Sequence, residues 1–482
     1  MEATLKQKTA KGLFWGSISG GVQQLITVVL GIFMARILSP DDYGLVGMLA
    51  IFSGIAATTI NSGFSAALTN KRDANHADFN AVFWFTVVAG ILLYLILFFC
   101  APLIAEFYKR PELTNLSRVV FLSFLFAGVS TTSYTVLFKQ LNVKRQAQID
   151  MISVLAGSSL GVGLAMCGFT YWALAMQLTL QSFLLAVLRL LIAPWKPTWK
   201  LNFSPLKPML PFSTKLYFTS IFSQIAGNIF SLLIGKFYGA TQLGYYSQGQ
   251  KWMGMGHLFI SGMFNSISQP VLAQINDEKA RQVNVVRKLI RFGAFVTFPL
   301  MLGLAFIGKE FILIAVGVKW LPSVPFLQIF CVWGAVSFLW AIYTNLIISC
   351  GKSNIYMRVV VITGLLQMVP SMICMFFWGI LTMTACYIFM TFAGVLLCQY
   401  YVKKLIGLRL RDVLSDVFPY LATTLFCFAF AWLLTRNIQN LYFLLASKVL
   451  ISGILYIFVL KIMRSVIFEE SVDFIRKTYR HD

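Results

Sequence analysis

The sequence predicts an all-α membrane protein of about fourteen transmembrane helices: two pseudo-symmetric six-helix lobes followed by a C-terminal helix pair. Three observations predict it: an apolar composition, a one-sided distribution of basic residues and an internal repeat at a shift of 200 residues. Of the 482 residues, 58% are hydrophobic and only 12% charged, where roughly a quarter of a water-soluble chain is charged. Length alone suggests about three soluble domains. So much apolar surface cannot be hidden from water, and lipid is the solvent that removes the problem.

Long apolar runs bounded by charge or turn residues place helices at about 12–36, 45–69, 81–107, 115–138, 151–170, 171–193, 213–235, 243–270, 287–308, 323–348, 357–378, 380–402, 417–435 and 441–463. Each is near the roughly 20 residues that a bilayer crossing takes. The stretches 151–193 and 357–402 are continuous apolar runs, divided at Gly168–Thr170 and at Gly379. The cationic start (Lys6, Lys8, Lys11) leads into an apolar run too long for a signal-peptide core, so the first helix is read as uncleaved.

Basic residues fix the orientation. With the amino terminus placed in the cytoplasm, 29 Lys and Arg fall on the inside and eight on the outside. The positive-inside rule then puts both termini in the cytoplasm and favours an even number of spans. The net charge of +22 is explained by basic loops beside anionic headgroups, without nucleic acid. The longest loop, from Pro194 to Pro211, carries five of the fourteen prolines together with Trp195 and Trp199. Proline stops helices and Trp favours headgroup level, so this loop reads as a cytoplasmic linker lying on the membrane. The expected division is an N-lobe at 1–193, a linker at 194–212, a C-lobe at 213–402, and C-terminal helices with a cytoplasmic tail at 403–482.

Residues 19–44 align without gaps on residues 219–244: Ser19 with Thr219, Gln24 with Gln224, Arg36 with Lys236, Gly44 with Gly244. Each copy ends a helix with a cation, turns, and starts the next helix near a glycine. Both copies begin on the same side, so the repeats are parallel, related by an axis along the membrane normal. Transporters built this way bind substrate near the midplane between lobes and rock one against the other.

Several stretches are similar to the polysaccharide transporter family of the multidrug/oligosaccharidyl-lipid/polysaccharide exporter superfamily. They are Lys11 to Trp15, ARILSPDDYGL from Ala35 to Leu45, and GFSAALTNKRD from Gly63 to Asp73. APLIAEFY (Ala101 to Tyr108), GFTYWALAMQ (Gly168 to Gln177) and IGKFYGATQLGYYSQGQK (Ile234 to Lys251) continue the series in order over nearly the whole chain. Within the family, the sequence most resembles bacterial flippases for O-antigen, capsule or exopolysaccharide repeat units. The resemblance implies a V-shaped pair of six-helix lobes, a central cavity opening alternately to either side, and an undecaprenyl-pyrophosphate-linked oligosaccharide as cargo. It also implies the bacterial inner membrane, no cofactor, and polysaccharide polymerase and other assembly proteins as partners.

Cations in or at the edges of spans are Arg36, Arg118, Arg189, Lys215, Lys236, Lys251, Arg291, Arg358 and Lys448, whereas Glu106, Asp150 and Asp416 sit only at ends. A charge at mid-bilayer costs about 2.5–3.5 kcal/mol on insertion scales, so each cation needs water, snorkelling room or an anionic ligand such as a diphosphate. Snorkelling accounts for Arg189, Lys215, Arg291 and Arg358 near inner helix ends. Arg36 and Lys236 fit helix C-terminal caps as well as ligand contacts, and Arg118 is within reach of outer headgroups. Lys251 lies deeper, roughly 12 Å along its helix, among Ser247, Gln248 and Gln250. Lys448 is similarly deep but falls in the appended pair, where a structural or lipid contact is expected.

Thr219, Ser220, Ser223, Gln224, Asn228 and Ser231 share one broad helical face, and Ser19, Gln23, Gln24 and Thr27 line the matching helix. Helix two adds Thr58, Thr59, Asn61 and Ser62. Such groups suit sugar hydroxyls, and equally suit hydrogen bonds between helices. The candidate substrate-binding set is therefore Lys251, Lys215, Arg36, Lys236, Arg118, Gln24, Gln224 and Asn228.

No enzymatic motif appears. His76, His257 and His481 are scattered, and the eight cysteines lie in or beside apolar segments without metal spacing. Alternatives within the resemblance are a multidrug cation exporter and a peptidoglycan-precursor flippase. The first requires membrane-embedded carboxylates, which are scarce here. A membrane-embedded sugar polymerase is a third alternative, but it needs a sizeable outside loop and these are short.

Overall fold

The computed structural model describes residues 5–470, apart from residues 62, 72, 141, 276–277, 464 and 466. No strand occurs among the described residues. The chain is a multi-pass membrane protein built from apolar helices. Twelve described helices are long and apolar enough to cross a membrane, and large side chains such as Phe99, Leu103, Phe377 and Ile454 point outward from them. Backbone groups in lipid must be satisfied within the segment, which is why the fold is helical throughout.

The first helix, α1 (Leu5–Ile37), ends at a sharp break where Ser39 caps the next helix. Ser39 and Asp42 form a capping box, and Pro40 occupies the first turn, where its missing N–H costs nothing. Helix two therefore starts before the expected residue 45. It runs as α2 (Pro40–Met48), α3 (Ala50–Asn61) and α4 (Phe64–Asn70), broken before Phe64 at Gly63, whose φ of 73° suits a residue without Cβ. Then follow α5 (His76–Tyr108), α6 (Leu113–Lys139), α7 (Val143–Met166) and α8 (Thr170–Ile192). The 194–209 segment is strapped to the start of α5. Asn80 donates to the Lys200 carbonyl and accepts from the Thr198 N–H, and Trp84 Nε1 donates to the Thr198 carbonyl at 2.7 Å. Trp195 is buried against Phe79 and Phe83 rather than exposed at headgroups, while Trp199 is exposed beside Trp84.

The remaining helices are α9 (Leu210–Gln274), α10 (Lys279–Phe306), α11 (Gly308–Ala315), α12 (Val324–Ser349), α13 (Ser353–Ile406), α14 (Leu410–Thr435) and α15 (Leu441–Ile462). Two membrane segments, Tyr217–Gly262 and Asn354–Ile406, are 46 and 53 residues long, about twice a single crossing. Each holds one glycine off the helical path: Gly239 at φ 85°, ψ 175° and Gly379 at φ 88°, ψ −178°. The figure of fourteen spans rests on cutting at those glycines, not on fourteen separate helices. The cut at Gly239 falls 200 residues after Ser39, the break between α1 and α2. The α7–α8 turn likewise contains a left-handed glycine, Gly168 at φ 85°.

The chain clusters into two compact units, Met1–Ser247 and Gln248–Asp482, dividing inside α9. The first unit thus includes residues 213–247, which the sequence assigns to the second lobe.

Candidate functional site

Within the first unit, the start of α2 meets α9 just past its break, and the contact is reciprocal. A Cβ on Gly44 would lie 1.8 Å from the Ala240 carbonyl oxygen, and a Cβ on Gly244 would lie 2.0 Å from that of Pro40. Residues 40 and 240, and 44 and 244, are matched positions of the repeat, so this is the self-complementary contact that a two-fold relation requires. At its centre Thr241 Oγ1 donates to Asp41 Oδ1 at 3.1 Å, again a matched pair. Arg110 clasps the same carboxylate, with Nη2 donating to Oδ2 at 2.7 Å. That bond to Asp41 raises the guanidinium above its ordinary pKa. The sequence reading passed over Asp41, Arg110 and Thr241. The 200-residue shift placed Asp41 opposite Thr241, and that was the available signal.

The candidate cations near this end rest on aromatic rings and carbonyls. Lys236 Nζ donates to the Phe107 carbonyl and sits 4.1 Å from the Phe107 ring centroid. Arg118 lies in the first turns of α6, half-buried, with its Cζ 4.4 Å from the Phe98 centroid. Its Nε is buried without a hydrogen-bond partner, and no ion pair to it occurs among the described residues. A cation over a ring face keeps its full charge while gaining about 0.5–2 kcal/mol. Arg36 is exposed in the last turn of α1, where a cation complements the helix dipole.

Gln224 and Asn228 occupy one face of α9. Asn228 Nδ2 donates to both the carbonyl and Oε1 of Gln224, each at 3.0 Å. Gln224 lies against α3, where a Cβ on Gly54 would come within 2.9 Å of its Oε1. Farther along the same helix pair, the Thr59 and Tyr217 hydroxyls lie 3.2 Å apart. This part of the polar stripe thus serves helix packing. Gln24 is half-buried in α1. Lys215 lies in α9, but its side chain falls outside the described residues, as does Ser19's; Ser62 falls outside them altogether.

Lys251 belongs to the second unit. It is half-buried, with Nζ 5.9 Å from the Trp252 ring centroid. Nearby on the same helix, His257 Nδ1 is 3.0 Å from Ser337 Oγ.

Arg189 and Arg291, which the sequence assigns to snorkelling, have carboxylate partners, as do Arg287 and Lys448, the latter expected to make a structural or lipid contact. Arg189 Nη2 lies 2.8 Å from Asp150 Oδ1. Arg287 and Arg291 both contact Asp416, at 2.7 and 3.0 Å. Lys448 lies 2.8 Å from Glu310, with both side chains under 10% exposed. These partners are distant in the chain and no short motif marks them.

The fold is shared with solved multi-pass membrane proteins. The lipid II flippase MurJ, in an inward closed conformation, superimposes with a TM-score of 0.74 at 15% identity, covering 94% of this chain and 99% of that one. An inward-facing multidrug resistance MATE transporter of the MOP superfamily gives a TM-score of 0.63 at 15% identity, over 80% and 95%. The sequence profile of the polysaccharide biosynthesis protein family matches residues 33–325, more than half the chain, and the protein belongs to that family. Teichuronic acid biosynthesis protein TuaB of Bacillus subtilis (strain 168) is 25% identical over 73% of each chain. Lipopolysaccharide biosynthesis protein WzxC of Escherichia coli (strain K12) is 23% identical over 69% of this chain and 68% of its own. The sequence resemblance therefore holds at the level of the family.

Proposed function

We propose that this protein is a flippase. It carries undecaprenyl-pyrophosphate-linked oligosaccharide repeat units across the bacterial cytoplasmic membrane by alternating access, for lipopolysaccharide, capsule or exopolysaccharide synthesis. It performs no covalent chemistry on the cargo. The observation that carries this reading is family membership: relatives along most of the chain are named for polysaccharide biosynthesis, on a fold shared with carriers. The chemistry of the spans supports it. Arg118, Lys236 and Lys251 put positive charge on aromatic faces within apolar segments, which suits a diphosphate and opposes an organic cation. In this reading Lys251 pairs with phosphate while the polyprenyl tail stays in lipid. The basic loops put both termini in the cytoplasm.

Removing the protein should trap lipid-linked repeat units on the cytoplasmic leaflet; their normal appearance on the outer leaflet would reject the reading. Lys251→Ala should insert normally and lower transport on the order of tenfold, the effect of losing one charge-assisted contact. Wild-type amounts of surface polymer in that variant would remove Lys251 from the site.

A further inference from the structure

At the end of the second unit where α14 begins and α15 finishes lies a pocket of about 230 Å³, lined by Arg291, Ser415, Asp416, Tyr420, Thr423 and Ser465 among others. Its volume is below the roughly 300–1,000 Å³ of sites for drug-sized ligands, so it takes a small group.

The charges do not cancel. Arg287 binds Asp416 through two nitrogens, Nε to Oδ2 at 2.7 Å and Nη2 to Oδ1 at 3.1 Å, which satisfies that carboxylate on one side. Arg291 Nε lies 3.0 Å from Oδ1 but off the line of a hydrogen bond, and is buried without a hydrogen-bond partner. Two guanidiniums thus share one carboxylate, and Arg291 keeps a fork of donors for the pocket. Around it stand hydroxyls: Tyr420 and Ser465 lie 2.9 Å apart, and Ser415 donates to the Asp412 carbonyl at 2.7 Å.

Leu460 and Met463 complete the wall on the apolar side. Next in the chain to the lining residues Ser415, Pro419 and Met463, the side chains of Leu414, Phe418 and Ile462 are more than half exposed, as lipid-facing residues are. A charged pocket at the edge of an apolar surface is the setting in which a headgroup enters while its acyl chains stay outside.

We propose that this pocket binds the phosphate of an anionic membrane lipid, with Arg291 as the direct ligand, at a site separate from the cargo path. Guanidinium matches phosphate oxygens in pairs, and Arg291 is the cation here with that geometry to offer.

The test measures retention of phosphatidylglycerol by the purified full chain, by native mass spectrometry against a phosphatidylcholine background, with inorganic phosphate alone as a second arm. Arg291→Gln should weaken phosphatidylglycerol binding at least about tenfold. Lys461→Gln, an exposed cation outside the lining, should change it less than twofold. Ser465→Leu fills the pocket while leaving both arginines and Asp416 in place, so it tests the site even if Arg291→Gln folds poorly; it should weaken binding likewise. Three results would overturn the proposal. They are equal losses in Lys461→Gln and Arg291→Gln, unchanged binding in Ser465→Leu, and inorganic phosphate binding as tightly as the lipid.

Discussion

The C-terminal helices and the α1–α2 end of the first unit treat positive charge in opposite ways. In the former, Lys448 is closed on Glu310, and Arg287 is held by Asp416 through two nitrogens. In the latter, Lys236 rests on the Phe107 ring and carbonyl, and Arg118 on the Phe98 ring. A cation neutralised by a buried carboxylate is part of the scaffold, because separating the pair leaves a charge that lipid cannot solvate. A cation held by a ring keeps its charge available to an anion. Charge within a span therefore says little about function until its partner is known. Arg189, paired with Asp150, belongs with the scaffold although it lies in the first unit.

The contrast predicts graded responses to substitution. Lys448→Ala strands Glu310 and should cost about 3–5 kcal/mol, seen as a lower unfolding midpoint in detergent. The double change Lys448→Met with Glu310→Leu should restore most of it, and a double variant as unstable as the single would break the contrast. Gly44→Ala forces a methyl onto the Ala240 carbonyl, and overpacking of that kind should cost about 1–3 kcal/mol. Gly244→Ala should cost a similar amount, because its contact with Pro40 is the matched one; a markedly smaller effect would argue against the two-fold relation. Arg118→Gln and Lys236→Gln should each shift stability by less than about 2 kcal/mol, the upper end for a cation–aromatic contact. Their effect should appear in transport instead, and a large stability loss would place them with the scaffold.

The fold was legible because its signals are long-range averages: apolar runs, basic loops and a 200-residue repeat. Splits at Gly168 and Gly379 were visible as turn residues inside apolar stretches, and both have positive φ. The early start of α2 was missed because its signal is a local cap, Ser39 with Asp42, ahead of the apolar run. The site was far less legible. Pairings such as Glu310 with Lys448 join residues 138 apart, and no periodicity reports a contact of that kind. Gln224 and Asn228 show the same limit. Helical spacing put them on one face, but only packing against Gly54 reveals that this face meets α3.

The most direct measurement is headgroup flux in sealed vesicles containing the purified protein and a polyprenyl-diphosphate-linked oligosaccharide, with protein-free vesicles and a cationic dye for comparison. The proposed role predicts that oligosaccharide headgroups become accessible to an impermeant probe on the opposite face only when the protein is present, with no dye movement. Dye transport with stationary headgroups would contradict it.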